Sequence, residues 1–296
     1  MAIRSWLFVP GDSEKKLNKV FQIGADVVIV DLEDSVTAAA KPTARRLACE
    51  WLQKHRTQVR SGTNYRRWVR INPLDTPLWR EDLLTVMPAG PRGIVVPKVQ
   101  DPEQLRMLAA ELYELEQRAG VPAGRTEIMP MVAETAQSAL NIADYAAASF
   151  SLPRLAAMTW GAEDLATAIG ASRQRDRDGK WTDLFAMIRS QLLLSAHARG
   201  VAAIDAVHTD FTDLDALAKV ARAAYRDGFT GMLAIHPAQV KVINQAFSPS
   251  EEELARAFAI VNAFADRPDA AALQLDGAMI EKPHLDQARR VIESAQ

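Results

Sequence analysis

A single cysteine among 296 residues excludes an internal disulfide framework and any multi-cysteine metal site. That residue, Cys49, lies in the helix-like stretch TARRLACEWLQKH and reads as a buried, inert thiol. Charge of one sign is missing too: 35 Lys and Arg stand against 37 Asp and Glu, a net charge of -2. No global field would gather nucleic acid or an anionic membrane, so neither is expected as a partner. No apolar run approaches the roughly 20 residues that span a bilayer. The first residues run directly into RSWLFVPG without the parts of a signal peptide, and a soluble cytoplasmic protein is expected. Low-complexity segments and short internal repeats are absent as well.

What the chain does have is alternation. With 48% hydrophobic residues it is long enough to bury one large core. Short β-branched apolar runs recur at 5–11, 26–34, 66–73, 93–99, 127–135, 155–164, 202–210 and 231–237. Each is closed by Pro, Gly, Asn or a charged residue, and a longer helix-like stretch follows. Eight such signals predict a parallel sheet, most simply an α/β fold of the (β/α)8 barrel type over residues 1–247, with a doubly wound open sheet as the alternative. Residues 248–296 exceed what a barrel needs. There Ser250 caps a helix whose first turn carries Glu251, Glu252 and Glu253, and a hairpin or loop then leads into a final helix.

Polar residues gather at the C-terminal ends of these strands: Asp31, Glu33 and Asp34; Arg70 and Asn72; Lys98; Glu134; Glu163 and Asp164; His208 and Asp210; His236. In a parallel barrel those ends converge on the face that carries active sites. Glu134 and Asp164 would lie on adjacent strand ends, placed to share a hard divalent cation such as Mg2+ with open water positions. Glu163, next to Asp164 at a strand-helix junction, is expected to point away. Arg70 sits in the apolar frame WVRIN, where an unpaired guanidinium is costly, so it meets a structural carboxylate or an anionic substrate; both stay open. Lys98 in VVPKV reads as an ion-pair partner, with a Schiff-base nucleophile as the alternative. His236 in AIHPAQV reads as a loop-orienting ring rather than a metal ligand, since no second histidine stands at ligand spacing.

In order along the chain, RSWLFVPGDSEKKLNK, VDLEDSV, RINP, PKV, MVAET, GAEDLATAIG, GFTGMLAIHPAQV and INQAFSPS resemble the citrate lyase beta-subunit-like family, which includes malyl-CoA and citramalyl-CoA lyases. The resemblance implies a (β/α)8 barrel that assembles as a homotrimer or dimer of trimers, binds Mg2+, and makes or cleaves a carbon–carbon bond between a 2-oxo acid and an acyl-CoA. By motif it makes Glu134 and Asp164 the metal ligands and Arg70 the substrate-binding arginine. Asp34 of VDLEDSV is carried with them as a candidate catalytic carboxylate. Phe8, Lys15 and Lys19 match positions lining the coenzyme A site, the lysines four apart on an expected helix. Ile235 and His236 match positions that meet the substrate–CoA portion.

The tail DGAMIEKPHL matches a segment that closes over a neighbouring subunit's active site and supplies a carboxylate, here Glu281. Relatives usually read Met-Ile-Asp where this chain reads Met279-Ile280-Glu281, one methylene longer, and Asp276 is a possible substitute. That change leaves open a different acyl chain or a thioesterase outcome. The expected reaction is a reversible Claisen-type cleavage of a 3-hydroxyacyl-CoA. A CoA-independent 2-oxo-acid aldolase and a non-catalytic accessory subunit of a lyase are the other readings.

Overall fold

Eight short strands close into one parallel barrel: β1 (Ser5–Pro10), β2 (Val27–Asp31), β3 (Arg66–Arg70), β4 (Gly93–Val96), β5 (Glu127–Val132), β6 (Ala157–Trp160), β7 (Ala202–Asp205) and β8 (Gly231–Ala234). The computed structural model describes residues 3–55, 65–147 and 149–295. β1 pairs in parallel with both β2 and β8, so the sheet has no free edge and the open-sheet alternative is excluded. Each strand falls inside one of the eight apolar runs.

Helices follow the strands and wrap the outside: α1 (Glu14–Leu17), α2 (Lys41–Lys54), α3 (Leu78–Val86), α4 (Pro102–Ala119), α5 (Ala136–Leu140), α6 (Ala162–Ala168), α7 (Asp183–Arg199), α8 (Leu214–Asp227) and α9 (Pro237–Ala246). α1 is shorter than the sequence suggests. It ends at Leu17, and a 3-10 turn begins immediately after Lys19, so the two lysines do not ride one continuous helix; both are exposed.

The strand period of two sorts the core into two layers. Trp6, Ile29, Trp68, Val95, Met129 and Leu233 fill the barrel interior, while the alternate residues Leu7, Val28, Val69, Ile94 and Ile128 pack under the helices. The interior fits tightly at Gly93, where a side-chain methyl would come within 2.5 Å of the Trp68 ring. Cys49, on α2, is partly rather than fully buried, and burial still pushes its thiol pKa up.

Beyond α9 the chain forms α10 (Glu251–Asp266), a hairpin of β9 (Ala272–Leu275) and β10 (Ala278–Glu281), and α11 (Lys282–Ser294). Ser250 caps α10 in a reciprocal capping box with Glu253. Asp276 and Gly277 both have positive φ, 51° and 78°, as a two-residue hairpin turn requires. Ala257, Ile260, Phe264, Ile280 and Ala288 make a small core of their own, separate from the barrel layers. An Arg222–Glu253 ion pair ties α10 to α8. Among the described residues, no helix is long and apolar enough to cross a membrane.

Candidate active site

Strand register builds the first pair. β2 and β3 place Asp31 beside Arg70 at their C-terminal ends. Arg70 Nε lies 2.7 Å from Asp31 Oδ1 and Nη2 2.7 Å from Oδ2, a bidentate contact. Its Nη1 is 2.9 Å from Glu33 Oε2, and its guanidinium stands over the Phe8 ring at 4.6 Å. Burial alone would raise the Asp31 pKa, but the charge and hydrogen bonds of Arg70 hold it below the usual carboxylate range. Of the two partners open for Arg70, the structural carboxylate is therefore present, on the face where a substrate would also lie.

Lys98 is the second hub. Its Nζ lies 2.5 Å from Glu33 Oε1, 3.2 Å from Asp34 Oδ1 and 3.9 Å from Asp164 Oδ1. Burial would lower its pKa, yet these carboxylates raise it above the ordinary lysine value, so the amine is held as ammonium and is a poor Schiff-base nucleophile. Burial raises the pKa of Glu33, although Arg70 and Lys98 oppose it. Lys98 also has a positive φ of 52°, uncommon for a side chain of its size, and in that conformation its backbone N–H donates to Glu134 Oε2.

Glu134 follows Ala133, which has a φ of 57°. It is 2% exposed, and its Oε1 is buried with no hydrogen-bond partner. Burial, reinforced by Asp164 and Glu33, pushes its pKa up to about 8. Asp164 stands on the first turn of α6, half-exposed. Glu163 turns away, its Oε2 accepting from Gln174 Nε2 at 2.6 Å. Five carboxylates (Asp31, Glu33, Asp34, Glu134, Asp164) thus face the two cations Arg70 and Lys98. Among the described residues no three His, Cys, Asp or Glu side chains already converge on a metal position. An acid excess with a buried, unpartnered carboxylate oxygen is nonetheless the donor set that a hard divalent cation fits, with water and substrate completing its shell.

β1 pairs with β8 so that Leu7 aligns with Ala234, which brings Ile235 beside Phe8. Ile235 is exposed, and the His236 ring stacks on Phe211 at 4.8 Å. His236 Nδ1 accepts from the Ala238 backbone N–H, the loop-orienting role its sequence context suggests. Buried Gln239 accepts from both backbone N–H groups of Ile235 and His236, fixing this rim. Phe8, Asp34, Arg70, Glu134 and Asp164 are thus gathered around Lys98 and Glu33. Glu281 is not among them. It stands at the N-cap of α11, its backbone N–H on His284 Nδ1 at 3.0 Å, and among the described residues no hydrogen bond or ion pair links it to that group. Asp276 is the first residue of the hairpin turn. Sequence reasoning placed Asp31, Glu33 and Lys98 at strand ends but did not foresee that Asp31 and Glu33 clamp Arg70 while Glu33 also holds Lys98. The signal was available: Ile29–Asp31 and Trp68–Arg70 keep the inward phase of their strands.

A closed parallel barrel with its polar cluster at the C-terminal strand ends defines a (β/α)8-barrel enzyme. Residues 4–237 match the HpcH/HpaI aldolase/citrate lyase family, and the chain belongs to that family of lyases. It is 35% identical over 291 residues to a citrate lyase subunit beta-like protein of Mycobacterium tuberculosis, covering 98% of this chain and 94% of that protein. A (3S)-malyl-CoA thioesterase of Cereibacter sphaeroides is 33% identical over 299 residues, with 99% and 94% covered. The crystal structure of CitE from Mycobacterium tuberculosis, in complex with magnesium, acetoacetate and coenzyme A, superposes with a TM-score of 0.78 at 34% identity, covering 99% of this chain and 98% of CitE.

Proposed function

We propose that this chain is a Mg2+-dependent carbon–carbon lyase. Its substrate is a 3-hydroxyacyl-CoA thioester of the malyl, citramalyl or citryl type, cleaved reversibly to a 2-oxo acid and acetyl-CoA or a related acyl-CoA. The observation that carries the reading is the buried, unpartnered Oε1 of Glu134 beside Asp164, at the strand ends that also hold Arg70. Support comes from the magnesium, acetoacetate and coenzyme A bound by the related CitE. Glu134 and Asp164 would hold the ion. The chemistry that a bound divalent cation supplies is Lewis-acid polarisation of the 2-oxo acid's oxygens.

The protein's residues do the rest. Cleavage takes the proton from the carbinol hydroxyl onto a carboxylate of the strand-end cluster, turns that carbon–oxygen bond into the carbonyl of the 2-oxo acid, and breaks the bond between the acyl α-carbon and the carbinol carbon, leaving negative charge on the thioester enolate. Arg70, immobilised by Asp31 and backed by Phe8, presents fixed positive charge to that enolate. Lys98 balances Glu33, Asp34 and Asp164, with Asp34 the exposed carboxylate of the loop. Glu281, delivered from a neighbouring subunit of a trimer or dimer of trimers, returns a proton to the acyl α-carbon. Phe8, Ile235 and His236 line the approach of the thioester arm, and Lys15 and Lys19 meet its phosphates.

A second reading is favoured by one observation: the proton-transfer position carries glutamate, and one methylene there alters reach by about 1 Å, enough to cost on the order of a hundredfold in rate. A malyl-CoA-type thioesterase would then be the outcome. Incubating the enzyme with malyl-, citramalyl- and citryl-CoA, with and without Mg2+, separates the two. Lyase action gives glyoxylate, pyruvate or oxaloacetate with acetyl-CoA and no free thiol; thioester hydrolysis gives free CoA thiol and no oxo acid. Absence of both oxo acid and free thiol with all three substrates overturns both readings.

A further inference from the structure

Beneath the acidic loop lies a cation that the reaction above does not use. Lys41 opens α2 and is almost fully buried. Its Nζ donates at 2.7 Å to the carbonyl of Leu32 and at 2.7 Å to that of Glu33. The Leu32 carbonyl also accepts from Asn72 Nδ2 at 3.1 Å, and Asn72 is itself held by Asp82, whose other oxygen takes Arg45 Nε at 2.6 Å. This placement does nothing for the helix, because a positive charge at a helix N-terminus opposes the macrodipole. Desolvating an ammonium is costly as well, and burial lowers the Lys41 pKa. The compensation lies in what surrounds it: Asp31, Glu33, Asp34 and Asp82 all act on it electrostatically.

We infer that Lys41 is a positioning residue for the active site: by holding the carbonyls of Leu32 and Glu33 from below, it fixes the loop so that Glu33 clamps Arg70 and Lys98 at once. This rests on the lyase reading of the same site. Glu33 spans the two hubs, Oε2 toward Arg70 at 2.9 Å and Oε1 toward Lys98 at 2.5 Å, so a loop shift misplaces both cations together. Glu134 and Asp164 lie on other strand ends, outside the part of the chain that Lys41 holds. Losing Lys41 should therefore damage turnover and spare the cation site. It also removes one positive charge from an acid-rich cluster, which by itself strengthens attraction for a divalent cation.

The test uses full-length protein, with Mg2+ binding followed by titration calorimetry using Mg2+ alone and cleavage followed by oxo-acid release. Lys41→Met is expected to lower kcat by about a hundredfold while Mg2+ affinity stays level or tightens by up to about threefold. Lys41→Arg, which keeps charge and paired donors, should recover at least part of that loss. A lysine that merely stabilised the fold would instead lower Tm with kcat of the folded fraction intact. Unchanged kcat in Lys41→Met, or a parallel loss of Mg2+ affinity and kcat, overturns the inference and leaves the lyase reading standing. Should Lys41→Met fail to fold, Lys41→Gln, with one neutral donor retained, is read against the same outcomes. Wild-type protein that binds no Mg2+ and cleaves none of the three thioesters removes the lyase reading and this inference with it.

Discussion

A methyl group on Gly161 would sit 2.5 Å from Cγ of Glu134 and 2.8 Å from its Oε1, so the glycine between β6 and α6 is the floor on which the carboxylate rests. Gly161 has a negative φ of -112°, which alanine adopts freely, so the conflict is purely with Glu134. Gly161→Ala should therefore push Glu134 out of place rather than unfold β6. The expected result is a drop in kcat of about a hundredfold with weakened Mg2+ binding, checked by calorimetry and steady-state kinetics, and a circular dichroism spectrum like the wild type's.

Glu134 has a cost to the metal-free fold with a definite sign. Its pKa stands near 8 in the folded state against an ordinary 4.5, so the folded protein favours the protonated acid. The penalty is absent below about pH 4.5, grows as pH rises, and is complete above about 8. In EDTA, Glu134→Gln should thus be more stable than wild type at pH 8, by on the order of 4 kcal/mol, with little difference at pH 5. Mg2+ should raise the wild-type Tm and leave that of Glu134→Gln unmoved. Equal Tm values for the two proteins at pH 8 in EDTA would contradict the burial argument.

Arg70 shows why charge alone is insufficient. Its planar fork takes both oxygens of Asp31 at 2.7 Å while Nη1 reaches Glu33 at 2.9 Å. Lysine offers one ammonium and no such fork. Arg70→Lys should lose at least about a hundredfold in kcat/KM. Near-normal kinetics would reduce Arg70 to an ion-pair partner of Asp31.

A purely structural pair predicts an acid limb in stability. Glu116 on α4 takes Arg154 through two contacts, 2.8 and 2.7 Å, and accepts from the backbone N–H groups of Gly124 and Thr126. Burial alone would raise its pKa, but these bonds hold it near 2. Because the folded value is depressed, the stabilisation is present above about pH 4.5 and disappears as pH falls toward 2, worth about 3 kcal/mol across that window. Glu116→Gln should be destabilised by about 3 kcal/mol at pH 7, where Arg154 is left buried and unpaired, and should show a flatter urea-stability profile between pH 5 and 2.

Much of this architecture was legible because a barrel writes itself locally. Runs such as DVVIVDLED and RRWVRINP carry β-branched strands and their polar ends in one segment, so the eight strands and the placement of Glu134 and Asp164 followed from pattern. The Asp31–Arg70 pair needed one more step, counting residues from an inward Ile29 and Trp68, because phase decides which strand-end polar residue faces the interior. Lys41 and Gly161 had no such signal. A lysine at the start of a helix and a glycine between a strand and a helix look like solvated charge and ordinary punctuation until the Leu32 carbonyl and the Glu134 side chain are in view. The short α1 was missed for a related reason: EKKLNK has good helix formers, but the chain bends to bury Leu17 and Val20.

The tail makes the most demanding prediction, because Glu281, proposed as the proton-transfer carboxylate, makes no hydrogen bond or ion pair to its own chain's cluster among the described residues. Antiparallel pairing sets Met279 opposite Gln274 and Ile280 opposite Leu273, so Ile280 turns into the small core of α10 and α11 while Met279 and Glu281 share the other face. Met279 is 67% exposed, an unusual setting for a methionine on a hairpin with no assigned partner. A face carrying an apolar side chain next to a carboxylate suits a lid over a neighbour's thioester. Removing residues 271–296 should leave a folded barrel that binds Mg2+ with little cleavage activity. Mixed oligomers of Glu281→Gln and Arg70→Ala subunits should regain activity, since a wild-type Glu281 on one subunit can then meet a wild-type Arg70 on the next. Native mass spectrometry would establish that the mixed species form. If they form and stay inactive while each wild-type control is active, Glu281 acts within its own subunit or is not the proton-transfer group.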